Sequence, residues 1–221
     1  LFAPRDPLAT VKLSDAEILL AAAGGSGAAD AGATVKLSET FVEEKVRAAV
    51  AMANSRVRGL AQHKPAEAAD TGSTVTMAVV QGQTAIVANV GDSRGYHWRD
   101  HTLRQITKDQ SLVAKLVEEG AITEEEALDH PMRNFVECCI GGDAPIPDMS
   151  VTNGKRLKPG DVLLACTDGL WSGLSDADMA MIGKPGDDNL VQNLKTLSMK
   201  ALSVNSPYSD NTTGTALRWN G

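Results

Sequence analysis

The sequence predicts an α+β fold built from antiparallel sheets. β-rich segments occur in runs, and residues 73–80 and 84–90 are separated only by the short turn Gln81-Gly82-Gln83. Strands joined by so short a turn pair antiparallel as a hairpin. Helical periodicity is confined to a few segments instead of following every strand, as it would in a parallel α/β sheet.

The N-terminal part of the chain contains one long predicted helix. Valines recur at helical spacing across residues 38–63, and Thr40 with Glu43 offers a capping box near the start. We expect this helix to cover a sheet. Before it, the apolar run 16–23 leads into Gly24-Gly25-Ser26-Gly27, which predicts a buried strand that enters a glycine-rich loop.

The remaining elements follow from the same periodicities. Strands at 94–98 and 102–107 continue the meander around a polar turn. Residues 111–119 are predicted as a helix that ends at Gly120, and Thr123 followed by Glu126 caps a second short helix that ends near Leu128. The other predicted elements are strands at 149–152, 161–166 and 212–219, a helix with Leu190, Leu194, Leu197 and Ala201 on its apolar face, and a buried strand with Cys138 and Cys139.

Length and composition predict one soluble domain across residues 1–221. Hydrophobic residues make up 43% of the chain and charged residues 22%, as in ordinary globular proteins. The net charge of −7 argues against a nucleic acid or an anionic membrane as the main partner, because either would require clustered Lys and Arg. Three cysteines without framework spacing, and no apolar run of about 18 residues, predict a cytoplasmic protein without membrane insertion.

Three aspartates stand at the ends of predicted strands: Asp92, Asp168 and Asp210. A strand end is rigid and the following turn is exposed, so a side chain there can be both held and reached. Carboxylates are also the groups that hard divalent cations bind. Taken singly, each aspartate is better explained as an ordinary turn signal than as a functional residue.

Taken together, the segments that contain these aspartates resemble the PPM (type 2C) metal-dependent Ser/Thr protein phosphatases. The resemblance covers about residues 38–219 and keeps the order of the family's motifs. In chain order the matching motifs are Gly72-Ser73-Thr74, Val90-Gly91-Asp92-Ser93-Arg94, His130-Pro131-Met132-Arg133-Asn134, Pro159-Gly160-Asp161, Thr167-Asp168-Gly169-Leu170-Trp171 and Ser209-Asp210-Asn211-Thr212-Thr213.

The resemblance implies a four-layer α/β/β/α sandwich of two antiparallel sheets flanked by helices, with a metal cluster at one edge. Asp168 and Asp210 match ligands of the family's binuclear Mn²⁺ or Mg²⁺ site. Asp92 and Asn134 match positions that help to hold a third, weaker metal in bacterial members. Residues 111–134 match the mobile flap beside the active site.

The chemistry that the resemblance implies is hydrolysis of phosphoserine or phosphothreonine. A pair of dications lowers the pKa of a bridging water and neutralises charge on the phosphoryl oxygens during in-line attack. The implied partner is a phosphoprotein or another signalling protein. His130 could be a catalytic acid, but its position in the family favours a structural role in the flap. Gln110 stands where many members have His, and this difference neither supports nor weakens the resemblance.

The N-terminal metal motif of the family is degraded in this sequence. Where members have Asp-Gly-x-Gly-Gly-His, this chain has Gly24-Gly25-Ser26-Gly27-Ala28-Ala29. On this alignment Gly24 replaces the aspartate that bridges both metals, and Ala29 replaces the histidine. The backbone carbonyl of Gly25 remains a candidate ligand.

Three further residues of this region are weaker candidates. Asp30 or Asp6 could substitute for the missing carboxylate, and Arg5 is the only arginine before the predicted strand that could bind phosphate. Three hypotheses follow: a pseudophosphatase that serves as a binding or regulatory module, an active phosphatase with altered metal ligation, or a wrong alignment of residues 1–37 with the metal motif elsewhere.

Overall fold

The computed structural model describes residues 38–63, 71–142, 148–184, 190–207 and 209–221. The chain divides into two units, Leu1–Ser38 and Glu39–Gly221, and the elements described below belong to the second. The strand predicted at 16–23 and the glycine-rich loop lie outside the described residues. A single domain across residues 1–221 therefore stays a prediction.

Two antiparallel sheets form the centre of the second unit, as predicted. The first sheet contains β1 (Val75–Gln81), β2 (Thr84–Val90), β5 (Ser150–Val151) and β6 (Lys155–Arg156). Its order is β1-β2-β5, and β6 also pairs with β2. The second sheet contains β3 (Arg94–Arg99), β4 (Thr102–Gln105), β7 (Val162–Cys166) and β8 (Gly214–Arg218), in the order β4-β3-β7-β8.

Helices flank these sheets, which confirms the predicted α+β class. They are α1 (Glu39–His63), α2 (Leu112–Glu118), α3 (Glu124–Leu128), α4 (Asp168–Trp171), α5 (Asp176–Met179) with a 3₁₀ turn at Ala180–Gly183, and α6 (Leu190–Val204). In the described part of the chain, every helix is too short or too polar to span a membrane.

Turn chemistry explains both hairpins. The β1–β2 pairing runs from Val75 opposite Val90 to Gln81 opposite Thr84, and Gly82 has a φ of 54° in the turn between them. The β3–β4 turn places Asp100 and His101 at φ 49° and 64°. Two successive residues with positive φ are typical of the type I′ turn, whose twist matches that of paired strands.

Capping was predicted well in one helix and wrongly in another. Thr123 and Glu126 form the predicted capping box at the start of α3. The first helix begins at Glu39, so Thr40 lies inside its first turn and is not the cap. Backbone dihedrals, which the sequence does not reveal, decide which of several neighbouring polar residues precedes the first helical residue.

The prediction of a buried strand at Cys138 and Cys139 is wrong. Both residues are partly exposed, and they lie in irregular chain between the bridges Ser111–Val136 and Ser73–Ile140. A short apolar run can be a packed loop as well as a strand, because periodicity cannot be read from so few residues.

The largest described core cluster packs the second sheet against the C-terminal helices. It includes Trp98 and Leu164 from strands, Leu170 from α4, Ile182 from the 3₁₀ turn and Leu197 from α6. Because Leu170 is fully buried, α4 is held firmly against the sheet. This packing determines where the neighbouring Asp168 lies.

Candidate metal centre

Asp168 and Asp210 lie on two segments that are hydrogen-bonded to each other. Strands β7 and β8 pair as far as Cys166 opposite Gly214, and Thr167 continues the ladder by donating its N–H to the Thr213 carbonyl at 3.0 Å. The Thr167 hydroxyl also donates to the Asn211 carbonyl at 3.1 Å. The start of α4, which carries Asp168, and the segment that carries Asp210 therefore leave the sheet side by side.

Gly169 allows α4 and the Asp210 segment to approach closely. A Cβ atom at this position would lie 2.6 Å from the Asn211 carbonyl oxygen and 3.2 Å from the Asp210 carbonyl carbon. The Thr212 hydroxyl donates to the Gly169 carbonyl at 3.0 Å across the same contact. Only a residue without a side chain fits here without moving the Asp210 segment.

Asp92 reaches the same edge from the segment between β2 and β3. Arg94 pairs with Cys166 across β3 and β7, which places Asp92 near Asp168. Gly91 precedes it with a φ of 104°, a conformation that favours glycine. The Gln110 side chain accepts a hydrogen bond from the Gly91 N–H at 2.8 Å. Gln110, to which the family comparison gave no weight, therefore holds the backbone before Asp92.

The electrostatics at this edge suit a cation. Burial raises the pKa of Asp92, which is 8% exposed, and the nearby carboxylate of Asp168 raises this pKa further. Two carboxylates that disfavour each other's charge are stabilised by a divalent cation between them. Their hard oxygen donors fit Mn²⁺ or Mg²⁺.

The structure does not bring all of the predicted ligands together. Asn134 is exposed in the turn after α3, and no described contact joins it to the three aspartates. Among the described residues, no group of three or more His, Cys, Asp or Glu side chains is arranged to hold a metal ion. Gly25, Asp30, Asp6 and Arg5 lie outside the described residues.

Arg94 lies beside the site, although the sequence predicted no role for it. Its Nη2 lies 2.7 Å from Asp109, and its Cζ lies 3.4 Å from the centre of the Trp171 ring. Since the guanidinium is committed to these groups, it is a poor candidate for phosphate binding. No spacing rule predicts a partner fifteen positions away, and only the occurrence of Arg94 in the motif after Asp92 could have drawn attention to it.

His130 has the kind of contact expected of a structural residue. Its Nδ1 accepts a hydrogen bond from the Met132 N–H at 3.1 Å and so closes the turn after α3. The same segment is tied to the start of α2, where the Leu112 N–H donates to the Phe135 carbonyl at 3.0 Å.

Known proteins match both the sequence and the fold. The family model described as protein phosphatase 2C matches residues 29–118. The Ser/Thr phosphatase stp of Listeria monocytogenes is 34% identical over 131 residues, which are 59% of this chain and 48% of that protein. The chain thus spans about half the length of this curated relative.

Solved structures match over a larger share of the chain. The catalytic domain of the Ser/Thr protein phosphatase PstP, in complex with two manganese ions, has a TM-score of 0.65 and 31% identity, and the match covers 78% of this chain and 69% of that one. Phosphatase Stp1 from Staphylococcus aureus has a TM-score of 0.74 and 30% identity, with 86% and 72% covered. With this agreement in sequence and in strand arrangement, the chain belongs to the PPM (protein phosphatase 2C) family.

Proposed function

We propose that this PPM-type domain has reduced or lost phosphatase activity and serves as a binding or regulatory module for phosphoproteins or other signalling proteins. The proposal rests on the alignment of the glycine-rich segment described above, in which Gly24 stands where the family has the aspartate that bridges two metals. Asp92, Asp168 and Asp210 remain as acidic candidates for one residual Mn²⁺ or Mg²⁺.

The cost of losing the bridging carboxylate is large. Two unit charges about 4 Å apart interact by about 4 kcal/mol at an effective dielectric constant of about 20, so two dications repel by roughly four times as much. Without an anion between them, double occupancy becomes unfavourable. A single cation retains only part of the charge stabilisation that phosphoryl transfer requires.

The chain's own residues have separate parts in such a site. Asp168 and Asp210 would hold a cation where α4 begins beside the Asp210 segment, and Asp92 would approach it from the segment before β3. A bound cation supplies Lewis-acid activation of water and neutralises charge on phosphoryl oxygens. Gly169 keeps α4 and the Asp210 segment together, and Gln110 orients the backbone that leads into Asp92.

An active phosphatase with altered metal ligation is the second candidate. The observation in its favour is the retained approach of Asp92 to Asp168, together with the hydrogen-bonded Thr167 and Asn211 segments. In this case Asp30, Asp6 or the Gly25 carbonyl would complete the ligand set. Both candidates predict Mn²⁺ binding, but they differ in stoichiometry and turnover.

Hydrolysis of p-nitrophenyl phosphate in the presence of Mn²⁺ separates the two candidates. The expected result is little turnover by the wild-type protein and a gain of at least about 10-fold on Gly24→Asp, because the restored carboxylate supports the cations. Adding Asp168→Ala to Gly24→Asp should abolish this gain. Robust wild-type hydrolysis that Asp168→Ala removes would instead establish the active enzyme.

Calorimetric titration with Mn²⁺ provides an independent measurement. We expect at most one ion per wild-type chain and a second ion on Gly24→Asp. Two ions bound by the wild-type protein would contradict the proposal, because they would require a bridging ligand that the alignment does not contain.

A further inference from the structure

Two residues beside the aspartates make contacts that no ligand role explains. We propose that Trp171 and Arg94 are positioning residues that hold Asp92 against Asp168. The inference rests on the proposed function only in assigning Asp92 and Asp168 to a cation site. The contacts themselves are features of the protein without a metal.

Trp171 connects the two aspartates through a single short helix. Helix α4 begins at Asp168 and ends at Trp171, whose indole N–H donates to the Asp92 carbonyl at 3.2 Å. The intervening Leu170 is fully buried, so the helix cannot shift easily. One rigid element therefore carries Asp168 and also holds the main chain of Asp92.

Arg94 restrains the indole ring of Trp171 by stacking on its face. Its guanidinium lies over the ring, with Cζ 3.4 Å from the ring centre. Asp109 accepts from its Nε at 2.9 Å and from its Nη2 at 2.7 Å, and Tyr96 accepts from its Nη1 at 3.3 Å. A guanidinium held at three nitrogens is a rigid plane for stacking.

A second layer of contacts keeps this plane in place. Gln105 donates to Asp109 Oδ1 at 2.9 Å and so helps to hold the carboxylate that binds Arg94. On the other flank of Asp92, Gln110 holds Gly91 through the side-chain bond at 2.8 Å and through its own N–H, which donates to the Gly91 carbonyl at 3.0 Å. The backbone of Asp92 is thus restrained before and after the residue.

These restraints oppose a force that the site itself creates. Two carboxylates in a partly buried environment repel each other, and the 91–93 segment would relax away from α4 if nothing held it. The Trp171 bond and the Gln110 bonds prevent this movement. The approach of the two aspartates is therefore built in before any cation arrives.

Trp171→Phe tests the inference, because it removes the N–H donor and keeps an aromatic ring under Arg94. The matched control is Trp219→Phe, since the indole nitrogen of Trp219 is buried without a hydrogen-bond partner in the described structure. In metal-free protein, hydrogen exchange of peptides covering residues 89–95 should be at least about 10-fold faster in Trp171→Phe, as for a local opening. Exchange in the control should match the wild type.

Mn²⁺ affinity gives a second measurement that a merely structural role would not reproduce. Trp171→Phe should weaken binding about 10-fold, as is typical for residues that orient ligands. If Trp171 acts through Asp92, the same substitution should have no further effect in an Asp92→Ala protein. Arg94→Lys keeps the charge but loses the planar stacking, so its Mn²⁺ affinity should lie between those of Trp171→Phe and the wild type.

The outcomes separate this inference from the proposed function. Unchanged exchange in Trp171→Phe would overturn the positioning role, and so would an equal loss of Mn²⁺ affinity with and without Asp92. If neither the wild type nor Gly24→Asp binds Mn²⁺, the proposed cation site fails, while the exchange measurement still decides whether Trp171 holds Asp92.

Discussion

The environment of Asp92 predicts that its charge destabilises the metal-free protein. Its pKa is raised by burial and by Asp168, so the folded state binds its proton more tightly than the unfolded chain does. The penalty for charging Asp92 is therefore absent at low pH and grows as the pH rises above the ordinary carboxyl range. We predict that Asp92→Asn raises the melting temperature in EDTA at pH 7, by an amount that shrinks towards pH 4.

The matched control is the exposed Asp210, where Asn can still accept the hydrogen bond from the Asn211 N–H. Asp210→Asn should leave the melting temperature of the metal-free protein nearly unchanged. A lower melting temperature for Asp92→Asn than for the wild type at pH 7 would contradict the predicted charge penalty at Asp92.

Asp161 has the opposite effect on stability. It is 2% exposed, and although burial raises its pKa, donation by Arg99 and by the Lys158 N–H, together with the nearby His97 ring, outweighs burial and lowers the pKa to about 2. The Arg99 Nε donates at 2.8 Å and the Lys158 N–H also at 2.8 Å. A lowered pKa contributes stability above the unfolded value of 3.8, and this stability is lost as the pH falls towards 2.

We predict that Asp161→Asn costs about 2 kcal/mol of unfolding free energy at neutral pH. Urea denaturation at several pH values checks this, because the difference from wild type should diminish between pH 4 and pH 2. Asp178→Asn, which removes an exposed pair with Lys200, should cost much less. A pH-independent difference at position 161 would assign the loss to packing instead of charge.

At the scale of elements, close contact between the 3₁₀ turn and β3 depends on one glycine. A Cβ atom at Gly183 would lie 2.0 Å from Trp98 Cδ2 and 2.2 Å from Cε2. Trp98 is buried in the main core cluster, so a shift of its ring would disturb the side chains packed around it. We predict that Gly183→Ala destabilises the protein by about 1–3 kcal/mol in urea denaturation, as overpacking does.

Helix α1 provides the matched control for this substitution. Gly59 lies within the helix, and a Cβ atom there would meet nothing within 4 Å. Gly59→Ala should therefore stabilise the protein by about 0.5–1 kcal/mol, because alanine has the better helix propensity. Equal effects of the two alanines would mean that Trp98 moves aside without cost.

Elements were predictable from the sequence in proportion to their length. Helix α1 and the β1–β2 hairpin contain enough periodic positions and a clear turn signal, and both were predicted to within a few residues. The four-residue helices α4 and α5 were not predicted, and Asp168 was expected in a turn. One helical turn shows no periodicity, so the sequence does not distinguish it from a loop.

At the scale of the whole molecule, the sheet order brings together what the sequence separates. Motif order identified Asp92, Asp168 and Asp210 as candidates, and pairing of β7 with both β3 and β8 places their segments at one edge. The supporting contacts of Trp171 and Arg94 were not predicted. They are made through space between elements, and no local pattern of residue types encodes them.

The position of β8 also affects how the protein is made. Strand β7 is apolar and pairs on one side with β8, which comes later in the sequence, so β7 is synthesised before the neighbour that covers its edge. Termination of synthesis within α6 would release a chain with an open, hydrophobic strand. Such an edge can pair with strands from other chains. Early termination would therefore promote aggregation, and it would also remove Asp210.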